Sequence, residues 1–281
     1  MPIYDLGYRH WTGRWTSHPY RWWAITRRGV ALLARNKRFI TLMILSAIPF
    51  LVRAVMIYAS TLTGRHVPFL RIDAGFFEDF LSQQMQFFGI FISIFAGAGL
   101  IANDLKANAL QIYLSKPITR HDYLIGKLGV LVFFLGLPTL LPGLLLFLVA
   151  ILFKSDVQFV RELFWVPASI VAYSIVIMMT FALIMLALSS LSRSSRFAGI
   201  SFIAVFFFSQ ILYGILNSIL RTTGVAWVSL RNNLTQVGDL LFLRDPRYLS
   251  QGWVSILVLS LLACGSVFVI LRRVQAVEVV S

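Results

Sequence analysis

The side chains best suited to chemistry lie away from the long apolar runs of this sequence. His10, His18, His66 and His121 all fall outside those runs, and as the runs are bounded below no aspartate or glutamate lies inside one. If the runs cross a bilayer, neither a nucleophile with its base nor a set of metal ligands can be assembled at bilayer depth. The single cysteine, Cys264, sits in an apolar run, so no intrachain disulfide or thiolate cluster can form. The sequence has no GxxxxGK followed by Ser or Thr, so it does not by itself hydrolyse ATP through such a loop. The expectation is a chain that is not an enzyme and binds no metal or cofactor. One charge does fall inside a run. Arg53, in the outer half of the first, admits two readings: its long stem snorkels to the headgroups, or it meets an anionic substrate on a path through the membrane.

Of the 281 residues, 58% are hydrophobic and 13% charged, and mean hydropathy is +0.81. Ordinary soluble domains carry about 25% charged residues, and a soluble fold of this length could not hide so much apolar surface. A spanning helix needs about 20 mostly apolar residues. Such runs fall at Phe39–Thr61, Phe80–Ala102, Leu128–Phe153, Phe164–Leu191, Phe197–Leu220 and Gly252–Leu271, which predicts an all-α membrane protein of about six transmembrane helices. Pro138 and Pro142 should kink the third rather than end it. Ser192–Arg196 suffices for a tight polar turn between the fourth and fifth. No cleavable leader is expected, because the first apolar run begins far from the N-terminus and no small-residue cleavage pattern follows it.

Lysine and arginine give the orientation. Arg9, Arg14, Arg21, Arg27, Arg28, Arg35, Lys37, Arg38, Lys106, Lys116, Arg120, Lys127, Arg193, Arg196, Arg272 and Arg273 fall on one side, twice as many as on the other. Basic residues close to helix ends accumulate on the cytoplasmic side, so both termini are expected inside. The net charge of +14 has the same origin. Nucleic-acid binders need a folded polar domain that reads phosphates or bases, and none is visible here.

Residues 1–38 read as a cytoplasmic segment and 39–281 as the membrane domain. Within 20–38, Trp22, Ile25, Gly29 and Leu32 recur on one helical face and Arg21, Arg28 and Arg35 on another. That is the pattern of an amphipathic helix lying in the interface; the plainer reading is a charged tail that orients the first span. In the external loop 221–251, Leu230, Leu234, Val237 and Leu241 face Asn232, Asn233, Gln236 and Asp239. This predicts a short helix lying against the outer leaflet or capping the bundle.

The internal loop 103–127 is the most informative stretch. Leu105, Ala109, Ile112 and Lys116 share a helical face, so the second span is expected to continue past the membrane surface until Pro117 stops it. Thr119 and Asp122 have capping-box spacing and should start a helix running into the third span. The result is a helix, a polar elbow and a helix, suited to a cytoplasmic partner or serving simply as a hairpin connection. Asp104, Asn108-Ala109-Leu110, Tyr113-Leu114-Ser115, Pro117-Ile118-Thr119-Arg120 and Gly126-Lys127 follow one another in an order that resembles the signature loop of ABC-2-type transporter permeases. Aspartate stands where that family usually has glutamate, and Asn-Ala replaces its Gly-Thr.

The resemblance implies the transmembrane permease subunit of an ATP-driven ABC transporter, an exporter residing in the cell (inner or plasma) membrane. It implies a second permease copy or a paralogue and two separate ABC ATPase subunits, which hold the ATP and Mg. The loop would be the coupling contact, with Asp104, Leu114, Ser115, Lys116, Pro117, Ile118, Thr119, Arg120 and Lys127 as its residues. Arg120 serves equally as a positive-inside anchor. The rival reading is a non-transporting membrane subunit that passes ATPase-driven movement to an extracytoplasmic partner.

Overall fold

The computed structural model describes residues 20–62, 72–109, 118–154 and 157–274. Among them, six helical segments are long and apolar enough to span a membrane: Lys37–Thr61, Ala74–Lys106, Arg120–Lys154, Arg161–Leu191, Ser195–Leu220 and Gly252–Arg273. The protein is thus all-α, with about six transmembrane helices.

The elements are α1 (Arg21–Leu33), α2 (Lys37–Leu45), α3 (Ile48–Leu62), α4 (Ala74–Gln84), α5 (Ile90–Gly97), α6 (Ala102–Lys106), α7 (Arg120–Gly136), α8 (Leu140–Lys154), α9 (Val157–Leu163), α10 (Val166–Leu191), α11 (Ser195–Leu220), α12 (Leu230–Leu241) and α13 (Gly252–Arg273). The helix α10 is the hub of the bundle, packing against α5, α7, α8, α11, α12 and α13. Its polar turn into α11 forms over Ser192–Ser194, where the Ser192 hydroxyl accepts from the Ser194 amide at 3.0 Å.

Four spans are broken, the fourth near its start between α9 and α10, and side chains repair the breaks in the first three. In lipid an unbonded backbone group costs several kcal/mol, so irregular backbone survives only where something else bonds it. The first span breaks between α2 and α3, and the Ser46 carbonyl freed there accepts from Gln84 Nε2 at 2.9 Å. The second carries a π-helical turn at Met85–Gly89 and a break between α5 and α6. Ser189 Oγ of α10 accepts from the amides of Ile101 (3.1 Å) and Ala102 (3.0 Å) and donates to the Ala98 carbonyl at 2.9 Å. In the third span, between α7 and α8, Thr139 Oγ1 donates to the Leu135 carbonyl at 2.7 Å; here the two prolines interrupt the helix without ending the span.

The expected interfacial helix exists as α1, but it ends at Leu33, and Asn36 caps a separate helix that takes Lys37 and Arg38 into the first span. It rests on α7 along a seam where glycines of each helix receive side chains of the other. A Cβ at Gly126 would lie 2.7 Å from Ile25 Cβ, one at Gly129 2.8 Å from Thr26 Oγ1, and one at Gly29 2.5 Å from Val130. Such close approach is what small residues provide between membrane helices. The Thr26 hydroxyl donates to the Gly126 carbonyl at 2.9 Å. The expected apolar face is therefore divided: Ile25 is buried in the seam, whereas Leu32 is 55% exposed.

Candidate coupling site and the polar clasp at the opposite end

At the cytoplasmic end, α6 and α7 form the two arms of the elbow. Leu114, Ser115, Lys116 and Pro117 lie outside the described residues. The second-span helix stops earlier than its periodicity predicts: Asn108 takes φ 51°, and α6 ends at Lys106. The left-handed region favours glycine and, next to it, asparagine. Asn108 thus adopts the conformation that a glycine would supply, which accounts for one of the two departures from the resembled loop.

The other arm begins as its spacing predicts. Asp122 N donates to Thr119 Oγ1 at 3.1 Å and Thr119 N to Asp122 Oδ2 at 3.0 Å, a complete capping box. Arg120 and His121 stand exposed on the first turn of α7, and Ile118 is half-buried beside them. Behind them Lys127 Nζ meets Asp104 Oδ2 at 2.7 Å, with the two side chains only 9% and 17% exposed. Tyr123 Oη donates to the same carboxylate oxygen at 2.8 Å. Asp104 and Lys127, singled out from sequence, are thereby brought together as one brace across the elbow. Tyr123 and Ser189, which hold that brace and the break above it, escaped sequence reasoning because tyrosine and serine within apolar helices carry no distinctive spacing.

Arg53 is half-buried on α3. Its guanidinium lies 4.7 Å from the centre of the Phe76 ring and donates to the Phe76 carbonyl at 3.3 Å. It is held against the first turn of α4.

The extracytoplasmic end holds a second cluster. Asp73 caps α4 by accepting from Phe76 N at 3.0 Å, so the second helix starts at Ala74 rather than Phe80 and takes Glu78 and Asp79 into the bundle. The expectation that no acid lies within a span is corrected here: the window began at the first long apolar stretch, whereas the helix began at its cap. Glu78 is fully buried. Arg244 Nη1 reaches Glu78 Oε2 at 2.6 Å and Asp79 Oδ1 at 2.9 Å. Arg247 pairs with Glu78, with Asp79 at 3.2 Å and with Asp239 at 3.1 Å. On its far side Glu78 Oε1 accepts from Ser82 Oγ at 2.6 Å, which lies 3.0 Å from Tyr173 Oη.

This clasp fastens α12 into the bundle. Of the two expectations for the external loop, capping is realised. Leu230, Leu234 and Val237 are buried, but so are Asn232, Asn233, Gln236 and Asp239 opposite them. Gln236 Oε1 accepts from Ser250 Oγ (2.8 Å) and Ser255 Oγ (2.9 Å), and Asn233 Nδ2 donates to the Trp227 carbonyl at 2.7 Å. Gly238 lets α12 press against the ring of Tyr173, where a Cβ would lie 2.8 Å from Cζ. The helix ends in a Schellman turn: Arg244 N donates to the Asp239 carbonyl at 2.9 Å and Leu243 N to that of Leu240 at 3.3 Å, with Leu243 at φ 51°. That turn aims Arg244 at Glu78.

Burial lifts the Asp239 carboxyl above the usual range, against the pull of Arg247. Burial alone would lower Arg244, but the carboxylates of Asp79, Glu78 and Asp239 hold its proton more tightly than usual. The clasp is an ion-pair network whose acids are occupied by arginines.

A bundle of broken and mended spans, with a braced elbow at one end and a capped opposite end, defines a multi-pass membrane protein. Residues 23–270 match the family described as ABC-2 family transporter protein, and the chain belongs to that family. Comparison with individually curated proteins finds no match. As a family member it is a multi-pass transmembrane subunit of an ABC transporter, a class that works with ABC ATPase subunits in the membrane.

Proposed function

We propose that this chain is one half of the membrane portion of an ATP-driven exporter in the cell membrane. Two copies, or this chain and a paralogue, form the bundle through which substrate leaves, while two separate ATPase subunits bind ATP and Mg and hydrolyse it. The elbow 103–127 is the ATPase contact, with Leu114–Arg120 as its coupling residues and Arg120 offering a cation to the partner. The observation that carries this reading is the brace: Asp104, Lys127 and Tyr123 join the two arms behind an exposed Arg120. A push on the tip therefore moves α6 and α7 together. Ser189 then ties the top of α6 to α10, the hub of the bundle.

The test is co-purification of the cognate ATPase with the chain carrying Pro117→Gly and Arg120→Glu together. The expected result is loss of the ATPase from the complex and a fall in its ATP turnover in liposomes. An altered chain that retains the ATPase and supports full turnover overturns the coupling assignment.

A further inference from the structure

A cavity of about 710 Å³ lies between α1 and the inner half of the second span. Because α1 is seated on α7 through its glycines, it leaves a wedge on the side facing α5. Leu32 of α1, Phe95 of α5 and Leu100 in the break after α5 line it, with Arg28 among the lining residues and the Asp104–Lys127 pair at its wall. Leu32 and Phe95 are 55% and 49% exposed into open space. At bilayer depth an apolar wedge open to the surroundings is filled by hydrocarbon, since neither water nor vacuum is favoured there.

We infer that this wedge is a binding site for one anionic phospholipid of the cytoplasmic leaflet, with an acyl chain between α1 and α5 and the headgroup phosphate at Arg28. Three observations support the choice of occupant. The volume falls within the range of built small-molecule sites. Arg28 is exposed and has no carboxylate partner among the described residues. Finally, α1 carries Arg21, Arg27 and Arg28 and no acidic residue, and such basic interfacial segments attract anionic lipid. Contact with the Asp104–Lys127 wall makes the site adjacent to the elbow, but the lipid assignment stands independently of the coupling role.

The test is native mass spectrometry of the intact chain released from nanodiscs of phosphatidylcholine containing a minor fraction of phosphatidylglycerol. One tightly held phosphatidylglycerol is expected, enriched about fivefold over its bulk ratio, the preference one arginine near the surface supplies. Arg28→Gln should abolish the enrichment while a lipid of either headgroup is still retained. Ala24→Phe, placed at an exposed lining position, should fill the wedge and remove the retained lipid without changing the melting temperature. Retention at the bulk ratio by the unaltered chain overturns the proposal, as does undiminished retention in Ala24→Phe. Enrichment that survives Arg28→Gln overturns the headgroup assignment.

Discussion

The second span carries an ion-paired acid at each end, and the two ends hold theirs differently. Asp104, on the cytoplasmic side, meets Lys127 and Tyr123 from the very next helix. Glu78, on the far side, is held by Arg244 and Arg247, whose partnership closes over 166 and 169 residues of chain. The inner pair joins two arms of one hairpin; the outer cluster joins the second span to a helix inserted from the last external loop. The contrast suggests a division of labour. The inner brace lets a local segment move as one piece, and the outer clasp fixes a distant segment in place.

The sharpest way to break this contrast is Glu78→Ala. It leaves Arg244 and Arg247 with only Asp79 and Asp239 to pair with, and removing one partner of a buried pair costs about 3–5 kcal/mol. Because Arg244 and Arg247 are 31% and 33% exposed, water relieves part of that loss, and about 3 kcal/mol is expected. Unfolding of the solubilised chain followed by tryptophan fluorescence should show it, together with new proteolysis near Leu243.

Lys127→Met should be milder, on the order of 2 kcal/mol, because Tyr123 still donates to the stranded Asp104. Its signature is functional: the ATPase remains bound while its turnover no longer responds to the membrane subunit. Adding Asp104→Asn should recover the stability and leave the uncoupling. A Lys127→Met chain with normal coupling would remove the brace from the mechanism.

The smallest effect concerns Asp239. Its folded pKa is raised by burial, so the fold favours the protonated acid. The stability it contributes is full below the unfolded pKa of about 3.9 and is lost as pH rises through the higher folded value. Asp239→Asn should therefore leave stability at neutral pH unchanged or slightly higher and flatten its rise on acidification. A steeper acid dependence in the variant would show that Arg247 outweighs burial at this site.

These differences also mark what could be read in advance. Asp104 and Lys127 were legible because a short motif places both on one hairpin. The capping box at Thr119 and Asp122 was legible for the same reason, being purely local. Glu78, Asp79, Arg244 and Arg247 looked like separate loop charges, since no nearby residue reveals a partner so distant in the chain. A local sign existed nonetheless: Asp73 before Ala-Gly-Phe-Phe is a helix cap, and it would have placed Glu78 inside the helix. The amphipathic stripes of α1 and α12 were visible, but periodicity shows a face without showing its neighbour. Only packing reveals that the polar face of α12 is buried with its apolar one. The repairs by Gln84 and Ser189 were beyond sequence, although Pro49 marks the first break, because each repairing side chain comes from a different span.

The seam between α1 and α7 has a consequence for biosynthesis. Thr26 and the Gly126 carbonyl it bonds are separated by 100 residues. At the usual 5–20 residues per second, the seat for α1 does not exist until about 5–20 s after α1 itself has been made. Through that interval its apolar face has only lipid to lie on, and its arginines only the leaflet beneath them. Helix α1 thus waits for a seat made 100 residues after it, and a chain arrested before the third span would leave it unseated on the membrane surface.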